Sequence, residues 1–407
     1  MRKNQEETLL DSNHKFRPHM AYVWVIFSLS LLPIIFAVIK SNDTLSGLVE
    51  KTPLFNHVET WYKSRVEKVE EMRTLAKFPD RWEGAWYALD KNYANFDRWF
   101  NDNMGLRDFF IRSKNELDFR LFSSSSRVYY GSDDYIFGRN LIDNELNATE
   151  YVMSSVSDQK AIIDGMVSFT NELKSKGITT YFVLPMQKEY FIDNKLPFFA
   201  PKLPHNSNFM NFYQHALQNK SLNVIDVFNL INTVPKEYRT FYTQDFHWNH
   251  LSAFKVSENV VNKISENEKS DARWDHKFEV EYTSFLGSDA RFSSRLIARE
   301  HINEPTIKKT WKDTHVIKYL NAKETGLEFE TDLVQNKNLL PETCMFGNSF
   351  SDGMLDVGIV DFFSKFTKLD RTRDVSEIPK LIDKRCKYLI VQILDIQSGA
   401  WSNFKKH

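Results

Sequence analysis

The chain of 407 residues has two cysteines, almost no net charge and no repeated or low-complexity tract. The cysteines, Cys344 and Cys386, are too few for a disulfide-stapled scaffold and do not have the spacing of a structural zinc site. Lysine plus arginine (53) balance aspartate plus glutamate (54), so no whole-chain field points to nucleic acid or to a polyanionic partner. No further Cys/His cluster stands near His250 and its neighbour to make a metal centre, so the site reading includes no metal. Each cysteine starts an apolar run, and the plain reading is a pair of buried thiols. A bridge stays open as the alternative if the two runs are adjacent parallel strands outside the cytoplasm.

A 42% hydrophobic content is enough for a large core. Residues 21–39, AYVWVIFSLSLLPIIFAVI, hold no charge across 19 positions. At a helical rise of about 1.5 Å per residue they span the roughly 30 Å hydrocarbon layer, and Pro33 is tolerated there. Arg2, Lys3, Lys15 and Arg17 precede the run, which predicts a cytoplasmic tail over 1–20 and an extracytoplasmic chain after residue 40. The run is long for a signal-peptide core and lacks the small-x-small pattern before Lys40, so an uncleaved anchor is favoured over a cleaved signal. Residues 40–90 read as linker and solvated stalk. Their apolar positions, Trp61, Val66, Val69, Met72 and Ala76, are helically spaced but sparse.

From 91 to 407 the pattern is that of one compact α/β domain. FDRWFNDNMGLRDFFIRSKNELDF predicts two helices broken at Gly105, with the aromatics of 96–110 as core. VYYGSDDYIFGR predicts a β-hairpin around Gly131 to Asp134. Residues 157–176 carry Ile162, Ile163, Met166, Phe169 and Leu173 on one helical face, closed by Gly177, and ITTYFVLP follows as a buried strand. Helix-then-strand units recur within 208–231 and 377–395. Such alternation predicts a doubly wound, mainly parallel sheet flanked by helices, with ligands at the carboxyl ends of its strands.

Three stretches carry chemistry. In YTQDFHWNH, Asp245 and His247 lie two apart, so an extended or turn-like backbone sends both to one side and lets the carboxylate orient the imidazole. The alternative makes Asp245 a cap for the following helix and His247 an ordinary histidine. In CMFGNSFSDG, Ser349 follows Gly347 and Asn348 at a strand-to-helix turn, where backbone N–H groups and the helix dipole favour developing negative charge. An N-cap serine is the competing reading there. In PMQKEYF, Lys188 and Tyr190 are candidates for substrate contact or plain loop residues, while Arg107 and Arg139 suit structural ion pairs.

EMRTLAKFPD, FDRWFNDNMGLRD, VYYGSDDYIFGR, FVLPMQKEYFIDNKLP, DFHWNHLSA and FGNSFSD occur in that order. Over roughly residues 70–400 the chain resembles the alginate O-acetyltransferase family (AlgJ/AlgX-like), membrane-associated SGNH-hydrolase-like proteins. The resemblance implies an SGNH-hydrolase-like fold with Ser349 as nucleophile and Asp245 and His247 as its partners, the pair preceding the serine in the chain. It places Lys188 and Tyr190 near the cleft. Two departures stand out: Asn348 replaces the family's aspartate, which bears on hydrogen bonding and substrate contact beside the nucleophile, and KYLIVQILDIQ lacks the family's Glu/Arg-bearing stretch. The implied activity is acetylation of an exported polysaccharide from the periplasmic face of the inner membrane. No bound cofactor is implied, and the acetyl group would be relayed by a multipass membrane-bound O-acyltransferase. A carbohydrate esterase with the same triad and a non-catalytic glycan-binding subunit are the alternatives.

Overall fold

The computed structural model describes residues 89–406 except 105, 204–205, 275–277, 297–300 and 335–337, together with short pieces at 31, 35, 60–62, 66–69 and 74–77. The expected anchor over 21–39 therefore lies outside the described residues apart from two isolated positions, as does most of 40–90. Among the described residues no helix is long and apolar enough to cross a membrane. The chain divides into two compact units, residues 1–123 with 294–298 and residues 124–293 with 299–407.

In the first unit, α1 (Leu89–Asn103) and α2 (Arg107–Phe122) are the two expected helices, and left-handed Leu106 (φ 60°) opens the second. The expectation that residues 96–110 form core holds only in part. Trp99 is buried, whereas Phe109 and Phe110 are 38% and 43% exposed. The reason is that the buried face of α2 is polar, holding Arg112, Asn115 and Glu116. Arg112 donates to the carbonyls of Glu67, Lys68 and Arg295, and Glu116 accepts from the Arg295 guanidinium. Buried charges must be paired in this way, so α2 turns its charged side inward and its aromatics out.

The second unit opens with the predicted hairpin, β1 (Val128–Tyr130) against β2 (Ile136–Gly138). Helix α3 (Val156–Ser175) is capped by the Ser155 hydroxyl and ends before Gly177, whose φ of 78° needs a residue without Cβ. Strand β3 (Thr179–Val183), α4 (Asn208–Gln218), β4 (Val224–Ile225) and α5 (His250–Glu268) follow. Next come β5 (Phe278–Phe285) and β6 (Ile302–Lys309), which form their own antiparallel pair, then β7 (His315–Tyr319) and β8 (Leu327–Leu333). The chain closes with β9 (Thr343–Phe346), α6 (Ser349–Asp356), β10 (Phe366–Leu369), β11 (Tyr388–Gln392) and α7 (Ser398–Phe404).

The main sheet has the order β4-β3-β11-β9-β10-β8-β7. Its first five strands are mutually parallel, but β8 runs antiparallel to both its neighbours, β10 and β7, so the sheet is mixed at one edge. The short turn through left-handed Gly326 between β7 and β8 is too brief for a parallel crossover. Each face of the sheet has its own core. Phe169 of α3, Phe212 of α4 and Trp401 of α7 pack on one side. Phe254 of α5 and Phe350 of α6 pack on the other with Trp248. Along β9, Cys344 and Phe346 face the first core and Met345 the second, the period-two alternation of a strand buried on both sides.

Cys344 and Cys386 form a disulfide with a Cα–Cα separation of 5.8 Å, which corrects the plain reading of two buried thiols. The cause is register: β9 and β11 are parallel neighbours with Thr343 opposite Tyr388, so the chain segments at their starts lie side by side.

Candidate active site

Three loops at the carboxyl side of the sheet build the site. The loop before α5 is closed by an antiparallel bridge between Phe241 and Trp248 and by the Tyr242 N–H donating to the His247 carbonyl. Asn249, not Asp245, caps α5, its side-chain oxygen accepting from the N–H groups of Leu251 and Ser252. That leaves the Asp245 carboxylate for His247. One oxygen, Oδ1, accepts from His247 Nδ1 at 2.6 Å and from the His247 backbone N–H at 3.0 Å. The other, Oδ2, accepts from the Ser288 N–H at 2.8 Å. Burial raises the proton affinity of this carboxyl, but the His247 imidazole and the two backbone donors outweigh it and hold the group well below the usual carboxylate range.

His247 Nε2 lies 2.6 Å from Ser349 Oγ. The imidazole packs against both the Phe246 and Phe350 rings, with centroids 4.0 and 4.9 Å away, and Trp248 Nε1 donates to the Phe350 carbonyl. Asp245, His247 and Ser349, 104 positions apart at the extremes of the chain segment, thus stand in one hydrogen-bonded line. The arrangement is that of an SGNH-type hydrolase or acyltransferase active site.

Ser349 is the first residue of α6, and the cap is Asn348, whose Oδ1 accepts from the Phe350 N–H. The first-turn N–H groups of a helix have no intrahelical acceptor, which leaves the Ser349 N–H at the place where an oxyanion would form. Gly347 has to be glycine because a Cβ there would lie 2.6 Å from Gln392 Oε1 and 3.0 Å from the Ser351 Cβ.

A family model described as SGNH hydrolase-like domain, acetyltransferase AlgX, matches residues 131–364, more than half of the chain. The chain belongs to this family. Similar solved structures include the O-acetyltransferase domain of Pseudomonas putida AlgJ, at 11% identity, with 69% of this chain and 99% of that one covered and a TM-score of 0.45. Bacillus cereus PatB1 is 15% identical over 65% of this chain and 95% of its own, with a TM-score of 0.46. Pseudomonas aeruginosa AlgX is 16% identical over 70% of this chain and 69% of its own, with a TM-score of 0.42. No curated protein matches the chain.

The two departures from the AlgX-family pattern meet in space. Asn348 donates through Nδ2 to Gln397 Oε1 at 3.0 Å, and its backbone N–H donates to Gln392 Oε1 at 2.9 Å. Both glutamines come from the KYLIVQILDIQ stretch and the residues around it. An aspartate at 348 would have no N–H to offer Gln397.

Lys188 and Tyr190 are placed inside the protein rather than on an exposed loop. The Lys188 ammonium is buried and donates to the carbonyl of Asp245 at 2.8 Å, to Asp289 Oδ2 at 3.1 Å and to the Ile136 carbonyl. It thus stands beneath the triad carboxylate. Tyr190, partly buried, packs at a tilt against Phe209 of α4 with ring centroids 6.0 Å apart, at the margin of the first core. His250 Nδ1 contacts Thr306 Oγ1, away from the triad, and Arg139 pairs with Asp143 at 2.9 Å. Ser288 and Gln392 were invisible to pattern reading, since each acts through a contact more than 40 positions away. Gly287 offered a faint signal, a glycine next to two small polar residues. A Cβ there would sit 2.0 Å from the Gln244 carbonyl oxygen, so only glycine lets the Ser288 N–H reach Asp245.

Proposed function

We propose that the chain is an O-acetyltransferase that carries acetyl groups on Ser349 to hydroxyls of an exported polysaccharide. The observation that carries this reading is the 2.6 Å approach of His247 Nε2 to Ser349 Oγ with Asp245 behind the ring. In the first step His247 takes the Ser349 proton while Oγ bonds to the acetyl carbon. The donor's acyl bond breaks and His247 returns the proton to the leaving group. In the second step a glycan hydroxyl gives its proton to His247 and attacks the acetyl carbon; the bond to Oγ breaks and Ser349 recovers a proton. The Ser349 N–H at the start of α6 stabilises the oxyanion in both steps, a contribution of about 10² to 10³ in rate.

The uncharged run at 21–39 supports an inner-membrane anchor with the catalytic unit in the periplasm. Acetyl-CoA is cytoplasmic, so the reading includes a multipass membrane-bound acyltransferase as the source of acetyl groups. Purified chain incubated with an acetyl ester and unacetylated glycan is expected to produce acetylated glycan, and Ser349→Ala none. Acetate release with no transfer would make the chain an esterase, and polymer acetylation unchanged by Ser349→Ala in cells would leave a non-catalytic role.

A further inference from the structure

Lys368 is a cation where a strand flanked by strands on both sides ordinarily carries an aliphatic side chain. Strand β10 reads Phe-Thr-Lys-Leu with all four residues buried, and Lys368 stands opposite Met345 of β9. From there Nζ reaches the carboxyl end of β9 and donates to the Gly347 carbonyl at 2.6 Å. The charged groups around it are Glu328 of β8, Asp352 of α6, and Asp370 and Arg371 just past β10. Arg371 binds Glu328 at 2.8 Å and both carboxylate oxygens of Asp352 at 3.0 Å, so these charges are already engaged with one another.

The Gly347 carbonyl and the Asn348 N–H are the two ends of one peptide unit. Lys368 holds the first and Gln392 the second. That peptide leads directly into Ser349. A methionine of similar length would fill the same space without the cost of removing an ammonium from water, so packing alone gives no reason for a lysine here.

We propose that Lys368 is a positioning residue for the nucleophile, its ammonium fixing the Gly347–Asn348 peptide and through it the place of Ser349 Oγ against His247. The inference rests on Ser349 being the nucleophile. Burial pushes the Lys368 ammonium down to about 8. The charged donor is therefore present below that pH and is lost as pH rises through it.

The test is the rate at which a sulfonyl fluoride modifies Ser349 in the full chain, followed by intact mass from about pH 6 to about pH 10, with Ser349→Ala as the blank. Wild type is expected to lose rate on an alkaline limb near pH 8. Lys368→Met should react about 10- to 100-fold more slowly and lack that limb. Lys368→Arg, charged throughout, should recover most of the rate and stay fast beyond the wild-type limb. A Lys368→Met protein that keeps the wild-type rate, or keeps the limb, overturns the proposal. Should Lys368→Met not fold, an unmoved limb in Lys368→Arg overturns it equally. Folded wild-type protein that is modified at every pH elsewhere than Ser349 would instead remove the nucleophile reading, a separate failure that takes this inference with it.

Discussion

Both oxygens of Asp245 are occupied by N–H donors, so its charge is committed to orienting His247 rather than to taking its proton. Asp245→Asn should leave the fold in place, disturb the imidazole tautomer and lower kcat by about 10² to 10⁴ in a transfer or ester-hydrolysis assay. Asn348→Asp keeps the helix cap but sets a carboxylate against Gln397 Oε1, which already accepts from the Leu394 N–H. The expected cost is about 1 to 3 kcal/mol in denaturant unfolding, and an unchanged midpoint would show that the glutamine simply turns over. Glu189 is fully buried, and among the described residues neither carboxylate oxygen has a hydrogen-bond partner. Burial pushes its carboxyl up to about 7, against the opposing pull of Lys188. The folded state thus binds this proton more tightly than the unfolded chain, and the stability it contributes at low pH is lost as pH rises toward 7. Wild type should lose on the order of 3 kcal/mol from this group between acid and neutral pH. Glu189→Gln should flatten the Tm-against-pH curve over that window; part of the slope remains, because burial also raises Asp289 and Asp395.

Helices and strands show why period was legible and partners were not. Helix α3 was expected over 157–176 and occupies Val156–Ser175, because a full apolar stripe and a terminal glycine are local properties of the chain. The stripe does not say how close a neighbour comes. At Gly165 a Cβ would lie 1.8 Å from the Phe404 carbonyl oxygen, so α3 and α7 touch backbone to backbone. Alanine is favoured over glycine in a helix by about 1 kcal/mol, but here the clash is with main chain and must move α7. Gly165→Ala is expected to destabilise by about 1 to 3 kcal/mol, read as a lower Tm. The antiparallel edge formed by β7 and β8 escaped the sequence reading for a related reason: only His315 of β7 is buried and β8 alternates buried with half-buried residues, so neither has the continuous apolar run that marks the central parallel strands.

For the molecule as a whole, the disulfide joins β9, which delivers Ser349, to the chain just ahead of β11, which delivers Gln392. It closes a loop of 42 positions, for which chain entropy gives about 4 kcal/mol. Replacing both cysteines by alanine should lower Tm by on the order of 10 °C while leaving Ser349 reactivity measurable in the folded protein. Composition, apolar period and turn residues were enough to establish the α/β class, the hairpin, the principal helices and the short motifs holding Asp245, His247 and Ser349, because each depends on neighbours within one or two turns of chain. Pairing of those motifs, capping by Asn249 in place of Asp245, the inward Lys188, the Gln392 and Lys368 grip on the Gly347–Asn348 peptide, and oxidation of Cys344 with Cys386 were decided only by tertiary structure. Each of these depends on which strands become neighbours and in what register, and that is settled by burial of distant segments against one another rather than by any local preference.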